Sequence, residues 1–294
     1  MDHLADQLGC ARRDGGAFRV EPGMRLRLSG KDAFRYLNGQ VTRDLNRLGD
    51  REVASACLLT LKGKLSALVL IHRDANELIV ESDRGVGVSL RERLERYLVA
   101  DDVMVAEEEC PGRIHYFGAV AGRLDPSCPG LAVARLGIRG RDLLEITGDT
   151  AIEPPVELLD PSVVEILRIE RGIPKWGCEL GTDTLPPEAG LDRTCIDYDR
   201  GCYPGQEVIS RLKSIGRVNR LLHGFRGASL HAGMRILDAG DAGLGSLTSA
   251  AALPSSHESV ALGYLPRGTQ GPLFASDPLT GGRTPLSIIS IFGT

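Results

Sequence analysis

Apolar and polar residues alternate over "MRLRLSG", residues 24–30, the period-two signature of a strand with one buried face. The next stretch, "SGKDAFRYLNGQVT", changes to the helical period. Ala33, Phe34, Leu37 and Val41 fall on one side, and Ser29 is placed to cap the start. "SALVLIH" and "ELIVES" read as a strand pair joined through Asp74 to Asn76. "SLRERLERYLV" is an amphipathic helix, with Leu90, Leu94, Tyr97 and Leu98 spaced i, i+4, i+7 and i+8. "DLLEITGD" is a further strand. Residues 117–135 and 148–161, rich in Gly, Pro and Ala, read as connections. Strands separated by helices and hairpins, without strict β-α-β alternation, predict an α+β fold.

The best-punctuated helix follows. Asp160 caps it, Pro161 suits its first turn, and Gly172 with Pro174 stops it. Past Gly216 the texture changes. Short apolar stretches broken by Gly, Asp, Ser and Pro run to Thr294, which predicts a small β-rich domain, sandwich or barrel.

Composition narrows the reading. A chain of 294 residues suggests about two domains. With 42% hydrophobic and 25% charged residues it is ordinary globular material. A net charge of −4 does not suit a general nucleic-acid coat. The charge is uneven, however. Between 208 and 237 stand Arg211, Lys213, Arg217, Arg220, Arg226 and Arg235, and no acid. Such a window meets an anionic ligand or forms a solvated face. The seven cysteines are irregularly spaced and include no Cys-x-x-Cys pair, so no metal site is expected. The first residues carry acids and no apolar core, unlike a signal peptide. No apolar run approaches membrane-spanning length. The simplest compartment is a reducing cytoplasm, where thiols stay free.

Two stretches carry candidate chemistry. In "DRGCYPGQEVISR", residues 199–211, Cys202 lies two residues after Arg200 and ahead of a short helix predicted for "QEVISRLKSIG". The positive helix end and the arginine both favour a thiolate. Gly201 and Gly205 would let the backbone approach a ligand. A plain buried thiol is the alternative. In "VEILRIERGIPKWGCELGTDTLPPEAGLD", residues 164–192, Glu170 falls in the last turn of its helix, where a carboxylate faces the negative end of the dipole. A ligand donor would offset that, as would a pair with Arg168 or Arg171. Trp176 is a stacking platform or a core residue. No His-x-x-x-His, Gly-x-Ser-x-Gly or Walker pattern occurs.

"RIERGIPKWGCEL", "TLPPEAGLD", "RGCYPGQEVISR" and "GRVNRLL" stand in that order. Together they resemble the YgfZ family of folate-binding proteins, which is related to the aminomethyltransferase (T-protein) of the glycine cleavage system. "LSGKDAFRYLNGQVTRDL" and "LLTLKGKL" resemble the folate-binding domain that both share. The likeness runs through most of residues 24–225 and is strongest at 168–211. It implies an aminomethyltransferase-like folate-binding domain of antiparallel sheets with helices over 1–215, in two subdomains. A C-terminal β-barrel would occupy 216–294. It also implies a bound tetrahydrofolate or one-carbon derivative, and a part in iron–sulfur cluster assembly or maintenance. Through cluster enzymes that part extends to tRNA modification. The implied partners are folate and iron–sulfur proteins or cluster carriers, while charge and hydropathy speak against nucleic acid and a membrane.

Residue by residue, Cys202 stands at the family's characteristic cysteine and is the candidate for chemistry, redox, nucleophilic or as a transient cluster ligand. Gly201, Tyr203, Gly205, Gln206 and Glu207 belong to the same motif. Glu170 stands where relatives place a pterin-binding glutamate, which accepts two parallel N–H bonds. Trp176, Tyr203 and Arg211 are the further ligand contacts, and Arg84 replaces a pterin-contacting Asn of the transferases. Arg200 stands where the family usually has Lys. The transferases carry an Asp-Asp pair after a Gly; here Gly63 is followed by Lys64, Leu65, Ser66 and Ala67. That loss leaves open whether the chain is an enzyme. The rival readings are a folate-dependent aminomethyl- or methyltransferase and an RNA-binding module.

Overall fold

Helix α1 (His3–Asp14) leads into β1 (Gly15–Val20) and β2 (Arg25–Ser29). There follow α2 (Ala33–Asn38), β3 (Val53–Leu59), β4 (Leu65–Asp74), β5 (Glu77–Ser82), α3 (Gly87–Glu95), β6 (Met104–Glu108) and β7 (Arg113–Gly118). Next come β8 (Ala132–Ile138), β9 (Arg141–Thr147), α4 (Pro161–Glu170) and α5 (Gln206–Ser214). The last strands are β10 (Arg220–Ala228), β11 (Arg235–Leu237), β12 (Gly243–Ala252), β13 (Glu258–Pro266), β14 (Leu273–Ser276) and β15 (Arg283–Ile289). This computed structural model describes residues 3–20, 23–49, 52–74, 77–83, 85–109, 113–123, 132–138, 141–147 and 156–291.

The strands form three antiparallel units. A five-stranded sheet has the order β3-β4-β5-β2-β6, and a four-stranded sheet the order β1-β7-β9-β8. The last six strands close into a barrel, β10-β13-β12-β11-β14-β15. The fold is α+β, and the β-rich end is a barrel rather than a sandwich. Closure removes exposed sheet edges.

Burial follows the alternation in the sequence. In β2, Leu26 and Leu28 are fully buried while Arg25 and Arg27 face the other side. In β4, Ala67, Val69 and Ile71 enter the first core with Leu78 and Val80 of β5. The opposite face of β4 carries Leu68 and Leu70, half-buried and apolar. A strand apolar on both faces needs two neighbours. The second neighbour here is a cavity, described below.

Helix α4 is capped as expected. The Asp160 carboxylate accepts the Ser162 N–H at 2.8 Å, and Pro161 occupies the first turn. The Ser162 hydroxyl, which donates at 2.6 Å, and then the Ser162 N–H hold the Asp160 carboxyl below the usual aspartate range. Gly172 ends the helix with a left-handed φ of 62°. Val163, Ile166 and Ile169 of α4 share a core with Leu222, Val260, Leu262 and Tyr264, so this helix joins the barrel to the sheets.

Four expectations are corrected. Asp32, not Ser29, precedes α2, because Ser29 still pairs in the ladder with Met104. Val41 lies beyond α2 and bridges Leu58. Helix α3 ends at Glu95, before Tyr97, which is 39% exposed. The 117–135 connection gives way to strand at both ends, since β7 runs through Gly118 and β8 begins at Ala132.

Candidate functional site

A cavity of about 290 Å³ opens where the two sheets meet α4. Its walls come from distant parts of the chain: Phe18 and Val20 of β1, Leu68 and Leu70 of β4, His115 and Phe117 of β7, and Leu191, Thr194 and Cys195. Helix α4 and its C-cap contribute Val164, Leu167, Arg168 and Arg171, spaced i, i+3, i+4 and i+7 on one face. The walls are mainly apolar, and the acids, arginines and lysine gather at the end of β5, along α4 with its C-cap, and at Lys175.

Three of these groups have distinct electrostatics. Glu81 is buried in an ion network: Arg25 contacts it, and His72 Nε2 lies 2.7 Å from its carboxylate. Ser82 places a buried hydroxyl on the wall with no hydrogen-bond partner. Asp83 is open to solvent at the cavity, yet protein crowds it. That burial pushes its carboxyl above the usual aspartate range, and the Trp176 backbone N–H and the Lys175 charge pull it partly back. A carboxylate with one N–H partner keeps acceptor positions for a ligand.

The cationic side of the wall is braced from behind. Arg168 bonds the Glu165 carboxylate at 2.7 Å, Glu179 at 3.0 Å, the Ser249 hydroxyl at 2.7 Å and the Ile173 carbonyl at 2.6 Å. The Glu179 side chain has no exposed surface. It accepts from Thr248 Oγ1 at 2.8 Å, Ser249 Oγ at 2.5 Å and the Lys175 N–H at 2.9 Å. The barrel is thereby tied to the 173–179 segment through a satisfied buried charge. Arg171 lies over the Phe117 ring, 4.4 Å from its centroid.

Glu170 does not line this cavity. At about 100° per residue it stands roughly a quarter turn away from the Val164–Arg171 face. Its carboxylate instead meets Arg12 of α1, with the Arg12 Nε at 3.2 Å. Arg168 pairs instead with Glu165 and Glu179. Trp176 is half-buried against two core clusters and touches the site through its backbone, at Asp83. Arg84 lies outside the described residues. The two positions that lack acids sit on β4: Ala67 is in the core, and Ser66 shares the cavity-side face with Leu68 and Leu70.

The Cys202 motif forms a separate place. Cys202 is exposed and is not on the cavity wall. Arg200 explains the loop's shape. Its guanidinium donates to the carbonyls of Val41 (2.9 Å), Arg43, Asn38 and Gly201 (3.1 Å). An ammonium has three donors and no planar fork, so arginine suits a site with four carbonyls. Arg47 and Asp199 add an ion pair at 2.8 Å beside it. Tyr203 is core, its hydroxyl is buried without a partner, and burial pushes it up to about 12. Gln206 reaches the Arg200 carbonyl at 3.5 Å, while Glu207 and Arg211 are exposed on α5. Gly205 caps α5 at φ 84°, and an added Cβ would lie 2.5 Å from the Thr60 carbonyl oxygen. The close approach at Gly205 is therefore to the β3–β4 turn, whereas Gly201 has open space around it.

The basic window is divided. Arg220 pairs with Glu188 at 3.0 Å, Arg226 pairs with Glu258, and Lys213 sits over the Tyr198 ring. None of the six lines the cavity. Among the described residues no three His, Cys, Asp or Glu side chains come together to hold a metal ion. No described helix is long and apolar enough to cross a membrane. Cys178 is exposed, as Cys202 is, while Cys57 and Cys195 are buried.

Sequence reading missed Ser82, Asp83, Arg171 and Lys175. Two signals pointed to them: basic residues interrupting the apolar stripe of α4, and "ESD" ending an apolar strand.

Two sheets about a cavity, a joining helix and a terminal barrel define the aminomethyltransferase-like class of fold. The crystal structure of glycine cleavage system aminomethyltransferase T from Bartonella henselae superposes with a TM-score of 0.79, at 19% identity, covering 98% of this chain and 89% of that one. No family model matches the chain. Among curated proteins, a tRNA-modifying protein YgfZ from Colwellia psychrerythraea is 27% identical over 218 residues, 67% of each chain. An iron–sulfur cluster assembly factor IBA57 homolog, mitochondrial, from Phaeosphaeria nodorum is 26% identical over 218 residues. That match spans 66% of this chain but about half (51%) of the relative's length. An aminomethyltransferase from Desulfitobacterium hafniense is 22% identical over 87% of this chain. The chain is a relative of the YgfZ-type proteins, the group related to the glycine cleavage T-protein.

Proposed function

We propose that this chain binds tetrahydrofolate or a one-carbon derivative in the cavity and serves iron–sulfur cluster assembly or maintenance, and through cluster enzymes tRNA modification. The observation that carries the reading is the cavity. Its volume, about 290 Å³, lies near the lower end of ligand pockets and suits a bicyclic ring with its tail at the mouth. Its lining fits such a group. Apolar walls take the flat ring, the Ser82 hydroxyl lacks a partner, Asp83 offers a carboxylate to N–H donors, and Arg171 and Lys175 supply cations for a glutamate tail. Asp83, not Glu170, is therefore our candidate for the pterin edge. The relatives carry the second half of the reading: one is called a tRNA-modifying protein and another an iron–sulfur cluster assembly factor.

Cys202 is the thiol proposed for chemistry. It is exposed, so it would act on a docked partner, an iron–sulfur protein or cluster carrier, with the cluster as cargo. The transferase reading is weaker, since the stretch after Gly63 carries Ser66 and Ala67 in place of the Asp-Asp pair of the transferases. The RNA-binding reading is weaker because Arg220 and Arg226 are already paired. We place the folate-binding body at 1–215 and the barrel domain at 216–294, in the cytoplasm.

Isothermal titration with tetrahydrofolate tests the binding half. Binding by the intact chain, weakened by Asp83→Asn and unchanged by Glu170→Ala, is the expected result. No binding, or weakening by Glu170→Ala alone, would remove this assignment.

A further inference from the structure

Two buried sulfurs lie at the back of the cavity, and the proposed binding uses neither. Cys57, on β3, has no exposed surface, and Cys195 has 3%. One buried hydroxyl ties their backbones together. The Cys57 N–H donates to Thr42 Oγ1 at 2.8 Å, and the Thr42 hydroxyl donates to the Cys195 carbonyl at 2.5 Å. Both cysteines belong to the same core cluster, and Cys195 is the neighbour that most strongly raises the Cys57 thiol. Of the pair, Cys195 lines the cavity and Cys57 lies behind it.

We propose that Cys57 and Cys195 form a redox-active dithiol site, reached through the cavity, that takes small disulfide-class oxidants and closes to a Cys57–Cys195 disulfide. To bond, the two sulfurs have to meet at roughly 2 Å. The order of events follows from access. Contact with Cys195, and then burial, push the Cys57 thiol up, so it keeps its proton while Cys195 meets the oxidant. Cys195 gives up its proton as its sulfur attacks one sulfur of the oxidant. The oxidant's S–S bond breaks, and the departing thiolate takes the Cys195 proton. Cys57 then attacks the Cys195 sulfur of this mixed disulfide, and the second thiolate leaves with the Cys57 proton. One oxidant S–S bond is reduced to two thiols, and two protein thiols are oxidised to one disulfide.

This site is distinct from Cys202, which needs no cavity to be reached. It also makes the thiol state a record of cavity occupancy. Whatever fills the cavity covers Cys195 and keeps the pair reduced.

The test treats the intact chain with hydroxyethyl disulfide at neutral pH, quenches with acid and maps the peptides by mass spectrometry. The expected product is a peptide pair cross-linked between Cys57 and Cys195. Cys57→Ala should stop at a mixed disulfide on Cys195, and Cys195→Ala should leave Cys57 unmodified. Oxidised glutathione, being bulkier, should cross-link the pair about tenfold more slowly if the cavity is the route. The proposal falls if Cys195 stays unreacted while Cys202 and Cys178 are fully modified. It falls equally if the mixed disulfide accumulates in the wild type without the cross-link, or if both oxidants react at one rate. Should either variant fail to fold, the wild-type cross-link decides.

Discussion

The cavity and the Cys202 loop are built from opposite kinds of sequence. The cavity wall draws on residues from Phe18 to Cys195, contributed by strands of two sheets and by α4. Its brace, Arg168 with Glu179, Thr248 and Ser249, reaches into the barrel. The Cys202 loop is nearly continuous in sequence, and backbone carbonyls hold it through one guanidinium. A ligand in the cavity would not touch Cys202. The 191–203 peptide connects the two, lining the cavity at Leu191, Thr194 and Cys195 and then forming the loop. The cavity and the Cys202 loop are thus neighbours along the chain rather than parts of one pocket.

The contrast breaks first at its most buried charge. Glu179→Ala leaves Arg168 with Glu165 and strips acceptors from Thr248, Ser249 and the Lys175 N–H. We expect a loss of about 3–5 kcal/mol in urea unfolding. A loss below about 1 kcal/mol would show that the cavity wall stands without this brace.

Arg200→Lys probes the other side. One ammonium cannot hold four carbonyls, so we expect a loss of about 1–3 kcal/mol. Hydrogen exchange should quicken at 199–206 and stay unchanged over β4 and β5. Uniform quickening would mean that the loop and the cavity are one unit.

Asp83→Asn should weaken tetrahydrofolate about tenfold in titration calorimetry, through the loss of one charge-assisted pair. Stability should not fall. Burial raises the folded pKa of Asp83, so its contribution to stability is present below the ordinary aspartate value and fades as pH rises through the raised one. The ligand needs the ionised form, so wild-type affinity should strengthen over that same rise in pH. The asparagine variant should lose this dependence. An affinity that falls as pH rises would reverse the assignment.

The smallest physical effect belongs to Cys202→Ala. The residue is exposed, so the unfolding midpoint and the tetrahydrofolate affinity should match the wild type. Activity of iron–sulfur enzymes in cells that depend on this chain should nonetheless drop. A change in ligand affinity would join the two regions that the geometry separates.

The sequence by itself determined what lies within a few residues. The capped start of α4 and its stop at Gly172 are local devices, so they were legible. The alternation of β2 and β4 was legible too, because side chains repeat every second residue. The motif around Cys202 stood out as one run, and α5 follows it as the apolar spacing predicted. Only the tertiary structure decided where faces point. Glu170 was read toward a ligand, yet α1 packs on α4 and brings Arg12 to it across 158 residues of chain. The leucines on the second face of β4 mark a cavity only once the sheets have paired and α4 has closed over them. Arg200 finds three of its four carbonyls more than 150 residues away. Local periods repeat within the reach of a turn or a pleat. A cavity wall is set by strand register and helix packing between distant segments, and no short window of sequence contains that information.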